Sequence, residues 1–373
     1  MKVLLTGGGT GGHIYPALAL KKRIQEQYPD SEFLYIGTER GLESKIVPKN
    51  GVPFKAIKVE GFKRKLNPSG IAYNLNTIKL FLGSIRKARK LIRDFNPDVV
   101  IGTGGYVCAP VCYAASKQKI PTIIHEQNSV AGITNKFLAR FVDKIAVCFE
   151  EARAQFKGQE HKVVFTGNPR AQEVALLKPD AILETFGLNS EKETVLIFGG
   201  SRGAQKINQT FMDSFEQLVN SPYQVLYVTG EIYYDEITQE INTRYKELSF
   251  QDSVKIVPYI NDMPQVFASV SLVVGRSGAT TLAELTSLGM PSILIPSPNV
   301  TEDHQTKNAL SLVNKKAALM IRETELTAER FVKDMNTLMS DEQKRKDMAG
   351  NSKKMGKQRA SDELIEVIQS IVN

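Results

Sequence analysis

Residues 6–13 read TGGGTGGH, five glycines and two threonines ending in His13. Glycines at a turn let backbone N–H groups come close to an anion, and the start of a following helix adds partial positive charge. That geometry suits a phosphate, a pyrophosphate or a developing oxyanion. His13, at the mouth of the turn, brings a titratable side chain toward a substrate hydroxyl; a tight turn with a helix-capping histidine is the plainer alternative. GRSGATTLAE (275–284) repeats the design. There Ser277, Gly278, Ala279 and Thr280 open a helix and aim hydroxyls and N–H groups at a diphosphate. Glu284, about a turn further, either accepts hydrogen bonds from ribose hydroxyls or is a solvated helix residue. Arg276 is either a phosphate ligand or half of a structural ion pair. Ser201, in GGSRGA, is a second candidate phosphate contact. In PNVTEDHQTKNA (298–309), Gln305 and Asn308 offer paired donors and acceptors for sugar hydroxyls, against an ordinary helix start capped by Thr301 or Asp303. His13, His125 and His304 fall in loops after strands, and His161 borders one. No HxxxH spacing and no Asp-x-Asp pair occurs, which favours chemistry without a metal.

These loops need elements to hold them. Short apolar runs at residues 3–5, 33–37, 54–59, 98–102, 121–125 and 143–148 alternate with helical patterns, the reading of a parallel sheet covered on both faces. Ligands of such sheets sit outside the carboxyl ends of the strands. The opening turn, GTGGY (102–106) and HEQNSVAG (125–132) all leave strand ends on that edge. The pattern breaks near FTGNPRAQ (165–172) and restarts with TVLIFGGSRGAQ (194–205), followed by runs at 223–230, 253–260, 271–275 and 290–296. The expectation is an α/β protein of two doubly wound Rossmann-like parallel-sheet domains facing across a cleft. The first spans 1–165 and the second 166–354, and a C-terminal helix at about 355–373 crosses back to the first.

The net charge of +8 hides an asymmetry: residues 1–165 carry +13 and residues 166–373 carry −5. The excess base suggests an anionic surface or substrate on the first half. Residues 62–93 hold nine Lys/Arg and no acid. Within them Leu75, Ile78, Leu82, Ile85 and Ile92 recur at helical spacing, while Lys79, Arg86, Lys90 and Arg93 take other faces. Ahead of that helix, GFKRKL sets Phe62 and Leu66 beside three adjacent cations. The stretch reads as a core-packed helix with a solvated face, as a contact for anionic lipid, or as both on different faces. No nucleic-acid-binding signature is present. Cys108, Cys112 and Cys148 lack metal-ligand spacing and read as buried free thiols. No apolar run approaches the roughly 18 residues that span a bilayer. The chain starts directly with a strand rather than a secretory leader, so a cytosolic protein is expected.

GGGTGGHIYPALAL, GTGGYVCAPV, HEQNSVAGITNK, TGNPR, FGGSRGAQKIN, GRSGATTLAEL and DHQTKNA, in this order, resemble the MurG family of bacterial peptidoglycan glycosyltransferases. These are UDP-N-acetylglucosamine:undecaprenyl-diphospho-muramoyl-pentapeptide N-acetylglucosaminyltransferases of GT-B fold. The resemblance covers nearly the whole chain. It implies inverting transfer of GlcNAc from UDP-GlcNAc to the C4 hydroxyl of lipid I, giving lipid II, with neither metal nor cofactor. It places donor contacts on Thr10, Gly11, Gly12, Asn128, Arg170, Ser201, the Ile260 backbone, Ala279, Thr280, Thr281, Leu282, Ala283, Glu284 and Gln305. The acceptor diphosphate falls to the opening loop with Gly102, Thr103, Gly104, Gly105 and Tyr106. The basic first domain becomes a peripheral docking face for the anionic cytoplasmic membrane surface, where cell-wall and division machinery are partners. An inverting transfer needs a base for the incoming hydroxyl: His13 is the candidate and Glu126 its rival. Arg276 and Ser201, with the helix start near Ser277, would stabilise departing UDP.

Three other readings compete. A GT-B enzyme with another lipid acceptor, such as diacylglycerol, would share the donor loops. A dinucleotide-dependent oxidoreductase would need an acidic ribose residue after the second strand, where FLYIGTER offers only Glu39. A non-catalytic membrane scaffold or sugar-nucleotide sensor has no need for His13.

Overall fold

The computed structural model describes residues 1–61, 68–200 and 202–372. Ser201 and the GFKRKL cations therefore lie outside the described residues. The chain forms two compact units, one of Met1–Glu173 with Arg359–Asn373, the other of Val174–Gln358.

The first unit is a seven-stranded sheet: β1 (Lys2–Thr6), β2 (Glu32–Thr38), β3 (Phe54–Ile57), β4 (Val99–Gly102), β5 (Thr122–Glu126), β6 (Lys144–Val147) and β7 (Val163–Phe165). Its order is β3-β2-β1-β4-β5-β6-β7 and every pairing is parallel. The helices are α1 (Gly11–Gln27), α2 (Glu43–Lys49), α3 (Pro68–Phe95), α4 (Cys108–Lys117), α5 (Ile133–Leu138) and α6 (Pro169–Val174). Strands buried on both faces explain the unbroken apolar runs. Val3 and Leu5 pack on one face with Ile14, Leu20 and Ile24 of α1, while Leu4 packs on the other with Ile85, Ala88 and Ile92 of α3.

The second unit repeats the plan with β8 (Thr194–Phe198), β9 (Gln224–Val228), β10 (Val254–Val257), β11 (Leu272–Gly275), β12 (Ser292–Leu294) and β13 (Leu319–Met320), ordered β10-β9-β8-β11-β12-β13. Its helices are α7 (Gln205–Val219), α8 (Tyr234–Arg244), α9 (Met263–Ser269), α10 (Ala279–Leu288), α11 (His304–Val313), α12 (Ala328–Met339) and α13 (Glu342–Met355). The last helix, α14 (Ala360–Gln369), belongs to the first unit: Leu364, Ile365 and Ile368 join the α1 core. Its Asp362 takes Arg23 Nε at 2.6 Å and Gln27 Nε2 at 2.8 Å.

One edge strand escapes the sequence reading. β13 has two residues, too short for apolar periodicity to register, while β7, the strand that His161 borders, has three. In both sheets the strand order reverses at the first strand, between β1 and β4 and between β8 and β11. These are the topological switch points where such sheets bind ligands.

Candidate functional site

The loops after β1 and β4 meet at the first switch point. Gly8 N–H donates to Gly104 O at 3.1 Å, and Thr103 N–H to Thr6 O at 2.8 Å. The opening loop spends its own peptide groups on the protein. Tyr35 Oη donates to Gly7 O at 2.9 Å, and Gly9 N–H donates to Glu43 Oε2 at 3.0 Å. Gly9 (φ +88°) and Gly104 (φ +112°) hold backbone conformations that L side chains rarely adopt. What is left for a ligand is the start of α1. Thr10, its N-cap, makes no side-chain cap, and the first turn carries no acid. The N–H groups of Thr10, Gly11 and Gly12 thus remain at the positive end of a 17-residue helix.

His13 is half-buried in that first turn. Its Nδ1 lies 2.8 Å from Gly8 O. A carbonyl only accepts, so Nδ1 carries the proton and the neutral ring keeps its lone pair on Nε2. The ring edge packs over Gly104, where a Cβ would fall 2.7 Å from His13 Cδ2. Of the GTGGY residues, Gly102, Thr103 and Gly104 are buried and occupied: Thr103 Oγ1 donates to His13 O at 2.6 Å, and Gly104 N–H to Cys108 Sγ at 3.1 Å. Gly105 and Tyr106 reach the surface, Tyr106 as one of the most exposed aromatic rings described.

The end of β5, with His125 and Glu126 inside the strand rather than in a loop, and the segment after it lock onto this arrangement. Glu126 is buried with both oxygens engaged. Oε1 accepts Asn128 N–H at 3.0 Å, and Oε2 accepts Gly132 N–H at 2.9 Å and Asn135 Nδ2 at 2.8 Å. It closes its own loop and leaves no oxygen for an incoming hydroxyl, while Asn128 stays half-buried above it. His125 is fully buried, and desolvation pushes its imidazole down to about 4. Its Nε2–H donates to Gly167 O at 3.0 Å, and its Nδ1 accepts from Gln127 Nε2 at 2.9 Å. Gln127 spends its other hydrogen on Thr103 O at 2.7 Å. A continuous chain of hydrogen bonds therefore runs from His13 through Thr103, Gln127 and His125 to Gly167. Arg170 belongs to this unit, with its guanidinium 5.9 Å from the Tyr15 ring and paired with Glu173.

In the second unit, α10 and α7 begin without a side-chain cap and without an acid in the first turn. The starts of α12 and α13 differ: Thr327 and Asp341 cap them, with Glu329 and Glu342 following. A bare N-terminus at a glycine turn suits an anion. Ala279, Thr280, Thr281, Leu282, Ala283 and Glu284 form the first turns of α10, with the Glu284 carboxyl buried. Ser277 is buried and donates to Gln305 O at 2.8 Å, and Gln305 Oε1 accepts Ser297 N–H at 2.9 Å. Gln305 thereby joins the loops after β11 and β12. Arg276 is held by protein partners on three sides. It donates through Nη1 to Ile295 O and Pro296 O, each at 3.1 Å, and pairs with Glu323 at 2.5 Å. Ile260 is buried in the loop after β10. Gly203 packs backbone to backbone against the loop after β9, where a Cβ would fall 2.2 Å from Thr229 O.

Three contributors go unnoticed in the sequence: Glu43, Tyr35 and Gln127. A polar residue directly after HE was a signal for Gln127, whereas nothing marks Glu43, which meets the loop only through the packing of α2 on β2. Among the described residues no group of three or more His, Cys, Asp and Glu side chains could hold a metal ion.

Two parallel sheets, both ordered 3-2-1-4-5-6 from their first strand with a seventh strand added in the first unit, and each with a glycine turn at the switch point, define a GT-B fold. The family models match both units: the glycosyltransferase family 28 N-terminal domain over residues 3–147 and the family 28 C-terminal domain over residues 194–364. The chain belongs to glycosyltransferase family 28. It is 54% identical, over 100% of its length and 99% of the relative's, to a Pediococcus pentosaceus protein named UDP-N-acetylglucosamine--N-acetylmuramyl-(pentapeptide) pyrophosphoryl-undecaprenol N-acetylglucosamine transferase. A Bacillus cereus protein of the same name, numbered 1, is 52% identical over 100% of both chains. The solved structure of Acinetobacter baumannii MurG superposes with a TM-score of 0.77 at 27% identity, covering 99% of each chain. A Neisseria meningitidis UDP-GlcNAc 2-epimerase bound to UDP-GlcNAc shares the fold, with a TM-score of 0.70 at 16% identity over 99% of this chain and all of that one.

Proposed function

We propose that this enzyme transfers GlcNAc from UDP-GlcNAc to the C4 hydroxyl of the MurNAc-pentapeptide of lipid I, with inversion, forming lipid II. End-to-end similarity to transferases named for that reaction carries the reading, and it favours lipid I over diacylglycerol as acceptor. His13 is the base. With Nδ1–H held by Gly8 O, its Nε2 takes the proton of the C4 hydroxyl as the oxygen attacks the anomeric carbon. The bond to UDP breaks with its electron pair going to the diphosphate, which the bare start of α10 stabilises, joined by Ser201 from the turn ahead of α7. Thr10, Gly11, Gly12, Asn128, Arg170, the Ile260 backbone, Gln305 and the residues 279–284 hold the donor. Gly105 and Tyr106 face the acceptor diphosphate, while Gly102, Thr103 and Gly104 shape their loop. Glu126 and Arg276 act by positioning, since their polar atoms are already engaged.

The enzyme works peripherally at the cytoplasmic membrane face. Lys79, Arg86, Lys87, Arg89, Lys90 and Arg93 of α3 are exposed, and so is the apolar Leu82 among them. Exposed Ile133 and Phe137 of α5 join them on a helix packed beside α4, which in turn packs on α3. Each cation near an anionic surface contributes about 1 kcal/mol. No described helix is long and apolar enough to cross a membrane.

The test is His13→Ala in an assay of acceptor-dependent UDP release. A fall in kcat of roughly 10²–10⁴-fold with little change in the KM for UDP-GlcNAc supports the base assignment. Unchanged kcat with weakened donor binding rejects it.

A further inference from the structure

Glu43 is fully buried, and among the described residues no lysine or arginine pairs with it. Its oxygens accept three hydrogen bonds: Oε1 takes Thr38 N–H at 3.0 Å and Thr38 Oγ1 at 2.6 Å, and Oε2 takes Gly9 N–H at 3.0 Å. All three partners donate, so the side chain acts there as an acceptor on both oxygens. The glycines around it make room: a Cβ at Gly8 would fall 2.5 Å from its Oε1, and one at Gly41 would fall 2.2 Å from its Oε2. A buried acceptor so closely fitted is costly to keep without a task.

The N–H that Glu43 takes and the C=O that His13 Nδ1 bonds belong to one peptide group, the Gly8–Gly9 linkage. In a trans peptide the N–H and C=O point in opposite directions. Glu43 therefore grips one end of the plane and His13 the other, at 3.0 Å and 2.8 Å. Hydrogen bonds in series polarise one another, and a carboxylate on the N–H makes the carbonyl at the far end a stronger acceptor. We propose that Glu43, the Gly8–Gly9 peptide and His13 form a relay in which Glu43 is a positioning residue that fixes the His13 imidazole as its Nδ1–H tautomer, with the reactive lone pair on Nε2. The relay does for His13 what a directly bonded carboxylate does for other histidine bases, with a peptide group interposed. It rests on the reading of His13 as the base, and its test separates the two.

Glu43→Gln keeps size but offers one acceptor oxygen to N–H donors that now sit on different oxygens, so one of them faces an NH2 group. The readouts are the His13 tautomer, from imidazole 15N shifts of the full-length protein, and the split between kcat and the donor KM. The wild type shows His13 as the Nδ1–H form. In Glu43→Gln the Nε2–H form, favoured in free histidine, gains population. Its kcat falls roughly tenfold to a hundredfold, less than on loss of the base itself, and the KM for UDP-GlcNAc stays within about twofold. Glu43→Asp, which keeps the charge but retracts it from Gly9, lies between the two and carries the same readouts should Glu43→Gln not fold. An unchanged tautomer and kcat in the folded variants, beside an inactive His13→Ala, overturns the relay alone. Full turnover by His13→Ala overturns the base reading, and the tautomer measurement then still decides whether Glu43 orients the ring.

Discussion

Lowering the pH from 7 to 4.5 should loosen the first unit through one residue, His125. Its imidazole is held down to about 4, chiefly because burial disfavours the charged ring, with the charge of His13 adding to the effect and the Gly167 carbonyl opposing it. In the unfolded chain the same ring titrates near 6.5. Between those values the unfolded state binds the extra proton and the folded state does not. The neutral ring's contribution is therefore whole above about pH 6.5 and drains away as pH falls toward 4. A gap of roughly 2.5 units corresponds to about 3 kcal/mol. Protonation also places an N–H on Nδ1, against the Gln127 Nε2–H that now donates there, and so frees Gln127 from the chain that holds Thr103. The assay is an NMR titration of the histidine Cε1 protons, with His125 identified by its missing signal in His125→Gln. Urea unfolding of both proteins at several pH values runs alongside it. The wild-type advantage over the variant should shrink by about 3 kcal/mol between pH 7 and pH 4. A His125 midpoint near 6.5, with stability curves that stay parallel, would refute the reasoning.

Other perturbations follow from particular contacts. Gly104→Ala puts a side chain at φ +112° with its Cβ 2.7 Å from the His13 ring, so kcat should fall while the donor KM holds; an active variant would show that the ring is not seated on Gly104. Arg276→Gln strands Glu323 and two loop carbonyls and should destabilise the second unit by about 3 kcal/mol in thermal unfolding. Loss of donor affinity without loss of stability would return Arg276 to the role of phosphate ligand. Ile368→Ala, at a fully buried position of α14, should cost the first unit about 3 kcal/mol. A loss under about 1 kcal/mol, below the range for such cavities, would mean that α14 does not carry that core.

The alternation of the fold was open to reading because parallel strands covered on both faces must be apolar at every position, as residues 3–5 and 99–101 are. The glycine turns were legible for a related reason, since few other residues let a backbone bend so sharply beside an anion. Partnership across the fold was not. Arg276 and Glu323 stand 47 positions apart in the chain and meet only through the loops after β11 and β13. Glu43 looks like the first residue of a short surface helix, ESKIVPK, and only the docking of α2 on β2 buries it beneath the opening loop. From sequence His13 and His125 both read as loop residues after strands, but His13 is half-buried in the first turn of α1 and His125 lies within β5, sealed inside a hydrogen-bond chain. Their difference is one of burial, which local sequence does not encode.

The central claim is the reaction, and UDP release from UDP-GlcNAc tests it most directly, measured in EDTA with and without a soluble lipid I analogue. UDP release should depend on the acceptor, persist in EDTA and yield a GlcNAc-containing disaccharide. Binding of UDP-GlcNAc without turnover of any lipid I analogue, or turnover of diacylglycerol instead, would contradict the claim.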